Sequence, residues 1–270
     1  MGRIRNTIEL AKASWQVLLA DRELVWLPVL SGLAAMVMGA TFILPVALTS
    51  GEGPLAWFAA AAFYFTTSFV VIFFNTALVS AAHERLSGGD PTIGSALSAA
   101  RSHLPAIIGW AAISATVSAI LKAIEERAGI IGSIVSSIAG LAWTLVTFLV
   151  IPVYVIEGTG VVESIKRSAS LFKQTWGENM AANVGFGIIG FLAILPFVLI
   201  AVLAIVSQIA GLAIAGVVIA LLGIVAVTVV ISTLSGIFQT ALYMYASSGI
   251  VPAAFINADL PGAFRPKRRK

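Results

Sequence analysis

Long apolar runs alternate with short polar segments along nearly the whole chain. Several of these runs exceed the roughly 20 residues that a helix needs to cross a hydrocarbon core of ~30 Å. The pattern therefore predicts an all-α polytopic membrane bundle with six transmembrane helices. The predicted spans cover about residues 24–49, 55–82, 106–124, 130–156, 180–207 and 213–246.

Three shorter segments, at about residues 3–22, 91–103 and 161–176, are amphipathic. In the first, apolar residues recur at helical spacing at Ile4, Ile8, Ala11, Trp15 and Leu18. In the third, they recur opposite the basic residues, at Val161, Ile165, Phe172 and Trp176. This pattern is typical of helices that lie in the membrane interface. Asp90 followed by Pro91 predicts the N-cap and the first residue of the second amphipathic helix.

An internal repeat is indicated by two similar five-residue sequence motifs near the ends of the second and sixth spans. Phe74-Asn75-Thr76-Ala77-Leu78 returns as Phe238-Gln239-Thr240-Ala241-Leu242. Each amphipathic segment precedes a pair of spans, so we predict three pseudo-repeated units, each an interfacial helix followed by a helical hairpin. The repeat is weakest in the middle unit, because the corresponding Phe148 is not followed by a sequence like Asn-Thr-Ala-Leu. Chance similarity among Ala- and Leu-rich helices is the alternative.

The last apolar region, Gly211–Ala246, is too long for a straight crossing. Its 36 residues would extend about 54 Å as one helix. We therefore expect a tilt, a break near Gly223, or a projection beyond Gly236.

Composition supports a membrane protein without an attached soluble domain. Of the 270 residues, 59% are hydrophobic and 10% charged, against about a quarter charged in soluble domains. We predict one transmembrane domain over residues 1–260 and a basic tail over 261–270. The chain has no cysteine, and its two histidines lack metal-ligand spacing, so we expect no catalytic residue, cofactor or metal. The net charge of +4 is too small to favour nucleic acid as a partner.

The distribution of Lys and Arg predicts the orientation. In the six-span topology, fourteen of the 16 lie on one side, and only Lys122 and Arg127 lie on the other. By the positive-inside rule, both termini and all three amphipathic helices are cytoplasmic, in a cytoplasmic (inner) membrane.

Four polar residues are candidates for lining a pocket within the bundle: Asn75, Gln239, Glu157 and Tyr154. Asn75 and Gln239 are equivalent in the repeat, and the alternative for both is an interhelical hydrogen bond. Glu157 ends the fourth span, one turn after Tyr154. It could bind a proton or cation, or it could be solvated or pair with Lys166 or Arg167.

Basic residues are candidates for contacting lipid headgroups or a protein partner: Lys166, Arg167, Lys173, Arg268 and Arg269. Their alternative role is to determine topology. The expected partners are membrane lipids and a cytoplasmic or membrane protein.

Several short sequence motifs resemble those of a known family. They are Trp15 with Asp21-Arg22-Glu23-Leu24, Asn75-Thr76-Ala77-Leu78, Gly88-Gly89-Asp90-Pro91, and Ser168, Leu171 and Trp176-Gly177. With them the chain resembles an uncharacterised prokaryotic family of six-span membrane proteins. More remotely, it is similar to the membrane domain attached to some glycerophosphodiester phosphodiesterases. The phosphodiesterase domain itself is absent, so the resemblance implies a fold and a location without that activity.

Two hypotheses for the function follow. The repeat favours a protein that binds or moves a lipid or hydrophobic small molecule, because transporters place substrate sites at repeat interfaces. The scarcity of polar residues deep in the spans favours a non-enzymatic scaffold. It would present its basic amphipathic helices to a cytoplasmic partner or to anionic lipid.

Overall fold

The computed structural model describes residues 3–48, 54–175, 185–258 and 260, and within them the chain is helical and forms no strand. The α-helices are α1 Arg3–Ala20, α2 Trp26–Leu48, α3 Pro54–Leu86, α4 Ile93–Ser102, α5 Leu104–Val146, α6 Val150–Glu157, α7 Val161–Thr175, α8 Gly185–Val206 and α9 Ala210–Ser248. Two short 3₁₀ helices cover Arg22–Val25 and Ala253–Phe255.

Six helical segments in the described part of the chain are long and apolar enough to cross a membrane. They are Arg22–Phe42, Phe58–Leu86, Leu104–Arg127, Gly132–Glu157, Ile189–Val206 and Ala210–Ser248. The predicted all-α class with six spans is confirmed. The arrangement in three repeated units stays a prediction.

The third and fourth spans are joined inside α5. Gly129 has φ 54° and ψ −135°, a backbone conformation that favours glycine because it has no Cβ. This residue lies between the end of the third span at Arg127 and the start of the fourth at Gly132.

Of the three alternatives for the long last apolar region, the break near Gly223 does not occur, because the sixth span is one continuous helix. A Cβ at Gly223 would lie 2.1 Å from the ring of Phe197, so this glycine permits close packing of α8 on α9. The break is instead in the fourth span, where a three-residue turn, Thr147 to Leu149, separates α5 from α6.

The second amphipathic helix begins later than predicted. Thr92, and not Asp90, is the N-cap of α4, and its side chain accepts a hydrogen bond from the Ser95 backbone N–H. The Ser95 hydroxyl accepts one from the Thr92 N–H in return, which completes a capping box. Asp90 instead forms an ion pair with Arg85.

The apolar residues predicted for α1 lie on two faces of the helix. Ile8 and Trp15 are 44% and 43% exposed, whereas Leu18 is buried. The buried face is formed by Leu10, Ala13, Ser14, Val17 and Leu18. Ile4 lies outside the residues whose side chains the structure describes.

The buried core lies at one end of the bundle. Its residues come mainly from the C-terminal parts of α3 and α9, from α6, and from the faces of α1 and α4 that cover them. By contrast, large exposed apolar side chains concentrate on α8 and on the first half of α9, where lipid would surround them. The polar side chains that join the helices are found at the packed end.

Candidate functional site: a polar junction between three helices

A buried hydroxyl pair joins α6 to α3. The Tyr154 side chain is fully buried, and its hydroxyl lies 2.5 Å from Oγ1 of Thr76, which is also fully buried. Thr76 Oγ1 donates to the Ile72 carbonyl at 2.8 Å. Because the threonine proton is thus used, Tyr154 must be the donor to Thr76. Tyr154 is therefore held by a structural hydrogen bond.

The turn between α5 and α6 is held by side chains from two other helices. Ser168 of α7 donates its hydroxyl proton to the Val146 carbonyl at 2.6 Å, and the same oxygen accepts from the Leu149 N–H at 3.1 Å. The Gln239 amide of α9 donates to the Phe148 carbonyl. A break in a membrane helix frees backbone groups that lipid cannot satisfy. Ser168 and Gln239 provide the partners that the broken helix lacks.

A third connection surrounds Glu157, at the end of α6. Its Oε1 accepts from the Tyr243 hydroxyl at 2.8 Å and from Arg167 Nε at 3.0 Å. The Glu157 side chain is 26% exposed and that of Arg167 is 41% exposed, so the pair lies at the edge of the bundle. Gly158 ends α6 in a left-handed conformation, with φ 67°. Glu157 thus links α6, α7 and α9.

Asn75 differs from its proposed repeat-mate. It lies at the contact between α3 and α9, with its Oδ1 3.9 Å from the position of a Cβ at Gly236. No hydrogen-bond partner for its side-chain amide is found within the described part of the chain. Gln239, in contrast, donates to the Phe148 carbonyl. No hydrogen bond joins any two of the four predicted pocket residues to each other.

The predicted lipid-contact residues have different environments. Lys166 and Lys173 are exposed on α7, whereas Arg167 is engaged by Glu157. The opposite face of α7 is anchored to the bundle through the buried residues Ser164, Ser168 and Leu171. Arg268 and Arg269 lie outside the described residues, as does Trp176.

A second polar cluster joins two of the motifs on which the family resemblance rests, Asp21-Arg22-Glu23-Leu24 and Gly88-Gly89-Asp90-Pro91. Arg85 donates to the Ala20 carbonyl at 3.4 Å and to the Gly89 carbonyl at 3.3 Å. The Glu23 carboxylate accepts from the Ile93 N–H at 3.1 Å, at the N-terminus of α4. The segment between α1 and α2 is thereby attached to the loop that precedes α4.

Asp21 lies at the centre of this second cluster. Its Oδ1 accepts from the Glu23 N–H at 3.2 Å, while Oδ2 is buried without a partner among the described residues. Burial raises the pKa of the Asp21 carboxyl, and this outweighs the lowering effects of the Glu23 N–H and the Arg85 guanidinium.

Sequence reasoning had named neither Ser168 nor Arg85 as a site residue. The signal for Ser168 was its spacing: Ser164 and Ser168 are four residues apart on the apolar side of an amphipathic helix, so both face the bundle. Arg85 gave a weaker signal, as a charged residue four positions before the Gly89-Asp90-Pro91 turn. In both cases the partners include a backbone carbonyl, which no side-chain pattern reports.

The described residues contain no group of three or more His, Cys, Asp or Glu side chains placed to hold a metal ion. The polar junction consists of the side chains that join α3, α6, α7 and α9: Thr76, Tyr154, Glu157, Arg167, Ser168, Gln239 and Tyr243. Its hydrogen bonds satisfy backbone groups and hold these helices together. Three of the four predicted pocket residues have that role.

The turn at Thr147–Leu149 generates a direct prediction. Ser168→Ala removes the partner of both the Val146 carbonyl and the Leu149 N–H. We expect the free energy of unfolding to fall by about 1–3 kcal/mol, because buried backbone groups without partners are costly. Unfolding in mixed detergent micelles, followed by circular dichroism, measures this change. The matched control is Ser98→Ala on the exposed side of α4. Equal effects of the two substitutions would contradict the role of Ser168.

Comparison with known proteins places the chain in a family. No curated protein and no solved structure matches it, and the remoter similarity to a phosphodiesterase-linked membrane domain is not shown. A family model, described as a family of unknown function (DUF6159), matches residues 55–253. The match includes α3 to α9 and the whole polar junction, and because it covers well over half of the chain, the protein belongs to this family of unknown function.

Proposed function

We propose that this protein is a non-enzymatic membrane scaffold that binds anionic lipid headgroups through the basic face of α7. The observation that supports it best is that α7 is fixed to the bundle on one side and exposes two lysines on the other. A rigidly attached basic helix presents its charges at a constant place relative to the membrane.

The attachment of α7 to the bundle is partly polar. Ser168 is bonded to the turn in the fourth span, and Arg167 is paired with Glu157. The Val161 side chain packs against α5, where a Cβ at Gly109 would lie 3.2 Å from Val161 Cγ2. These contacts support a helix that is part of the folded bundle rather than one that binds the membrane independently.

Lys166 and Lys173 are the residues we assign to headgroup binding. Each basic residue near an anionic membrane surface contributes about 1 kcal/mol of attraction. Arg167 contributes less in this proposal, because its Nε is already bonded to Glu157.

The polar residues of the junction support a scaffold more than a transport path. Tyr154, Gln239 and Glu157 all form hydrogen bonds that join helices. Their use as a polar lining for a substrate would require those bonds to open.

A second candidate, binding of a lipid or hydrophobic small molecule between the helices, is favoured by Asn75. Its amide lies between α3 and α9 without a partner among the described residues, next to the small residue Gly236. A ligand with a hydrogen-bonding group and an apolar body would complement that site.

Native mass spectrometry of the detergent-purified protein tests the proposal. We expect phosphatidylglycerol to bind more tightly than phosphatidylcholine, and the double variant Lys166→Gln with Lys173→Gln to lose about 2 kcal/mol, or roughly thirtyfold, of that affinity. The matched control is Lys122→Gln with Arg127→Gln, which removes the same charge from the only two basic positions predicted on the opposite side.

Equal losses in the two double variants would contradict the headgroup site on α7. A stoichiometric hydrophobic ligand that persists in both double variants and disappears in Asn75→Ala would support the second candidate instead.

The proposed orientation, in a cytoplasmic membrane with both termini cytoplasmic, is supported by the fourteen-to-two distribution of basic residues. A fluorescent protein fused after Lys270 tests it, because such proteins mature in the cytoplasm and fail to do so after export in unfolded form. We expect fluorescence from the fusion. A dark fusion that is present at normal amounts in the membrane would contradict the orientation.

A further inference from the structure

Helix α1 has two apolar faces, and only one of them is covered by protein. The inner face is at most 5% exposed at Leu10, Ala13, Val17 and Leu18. It packs against α9 and against the 3₁₀ helix Ala253–Phe255. The outer face carries a second stripe at helical spacing, at Ile8, Lys12, Trp15 and Leu19.

The outer stripe is too apolar for a surface that faces water. Trp15 is 43% exposed and Leu19 is 50% exposed. A helix that packs only against its own protein normally has a polar outer side. The apolar outer side of α1 therefore needs a partner beyond the described chain.

Trp26, the first residue of α2, extends the same kind of surface to the start of the first span. Its side chain is 53% exposed. Trp residues are enriched where a membrane protein meets the headgroup region, because the indole ring is apolar and its N–H forms hydrogen bonds. Trp15 and Trp26 lie on either side of Asp21, where α1 ends and the span begins.

Two exposed basic residues, Lys12 and Arg22, lie next to the stripe. The Lys12 side chain is 64% exposed and forms an ion pair with Glu9 at 3.4 Å. A lysine within an apolar stripe can place its methylene groups against acyl chains and its ammonium among phosphates. This combination is complementary to an anionic lipid surface.

We propose that the outer stripe of α1, together with Trp26, is embedded in the boundary between headgroups and acyl chains of the adjacent leaflet. Helix α1 is then a wedge between the bundle and the lipid, with one apolar face on α9 and the other in the membrane. The level of Trp15 and Trp26 marks the plane of the membrane interface. The inference is independent of the headgroup site on α7.

Fluorescence quenching in reconstituted vesicles of phosphatidylcholine and phosphatidylglycerol tests the proposal. Three single-Trp proteins, with the other tryptophans changed to Phe, keep Trp15, Trp26 or Trp110. Trp110 is the matched control, because it is only 7% exposed and stacks on Trp143. Bromine atoms are carried either near the carbonyl end or near the methyl end of the acyl chains, and iodide is the aqueous quencher.

We expect Trp15 and Trp26 to be quenched roughly twofold more by bromine near the carbonyl end than by bromine near the methyl end. Trp110 should show little quenching by bromine near the carbonyl end. Quenching of Trp15 by iodide without quenching by bromine would overturn the proposal, because the stripe would then face water. Protection of Trp15 from all three quenchers would also overturn it, and would indicate that protein covers the stripe, such as a second copy of the chain.

Variants with one change each keep the test valid if a single-Trp protein fails to fold. Trp15→Phe and Trp26→Phe alter exposed positions in an otherwise complete protein. Each substitution removes one tryptophan from the proposed interface. Each variant should therefore show a smaller fraction of total Trp fluorescence that is quenched by bromine near the carbonyl end. An unchanged quenchable part in both variants would overturn the proposal.

Discussion

The structure depends on the hydrogen bonds that satisfy one three-residue turn. Backbone groups inside a membrane must find partners within the protein, because lipid provides none. Thr147 to Leu149 interrupt the fourth span, and the freed groups are bonded by Ser168 from α7 and by Gln239 from α9. The amphipathic helix α7 and the last span are therefore fixed to the same interruption. The position of α7 on the bundle follows from this requirement.

The end of the bundle that contains this turn also contains nearly all of the buried core. This distribution is one reason for proposing a scaffold. Tyr154 and Glu157 join α6 to α3, α7 and α9 through hydrogen bonds. Helix α8 and the first half of α9 have mainly exposed apolar surfaces. The protein thus has one end with a large buried core, to which the amphipathic helices belong, and another part in which α8 and α9 pack on each other and expose apolar side chains. Such a molecule is suited to presenting a surface.

The sequence allowed the spans to be predicted, because length and hydrophobicity alone decide what can cross a bilayer. The break in the fourth span was not predicted, although Pro152 was a signal for it. Proline has no N–H to donate to the carbonyl four residues earlier, which is that of Phe148. The break near Gly223 that was one of three alternatives for the last span does not occur, and that glycine accommodates the ring of Phe197. Glu157 was correctly considered as a partner of Arg167. The role of Gln239 needed the position of the Phe148 carbonyl, which only the fold provides.

The most direct test of this account is a double-mutant cycle between Ser168→Ala and Gln239→Leu, measured as free energies of unfolding in mixed micelles. Both side chains bond the same turn, so we expect a coupling energy of at least about 0.5 kcal/mol. Pairing Gln239→Leu with Ser98→Ala, on α4, provides the additive control. Additive effects of Ser168→Ala and Gln239→Leu, to within about 0.3 kcal/mol, would contradict a single junction shared by α7 and α9.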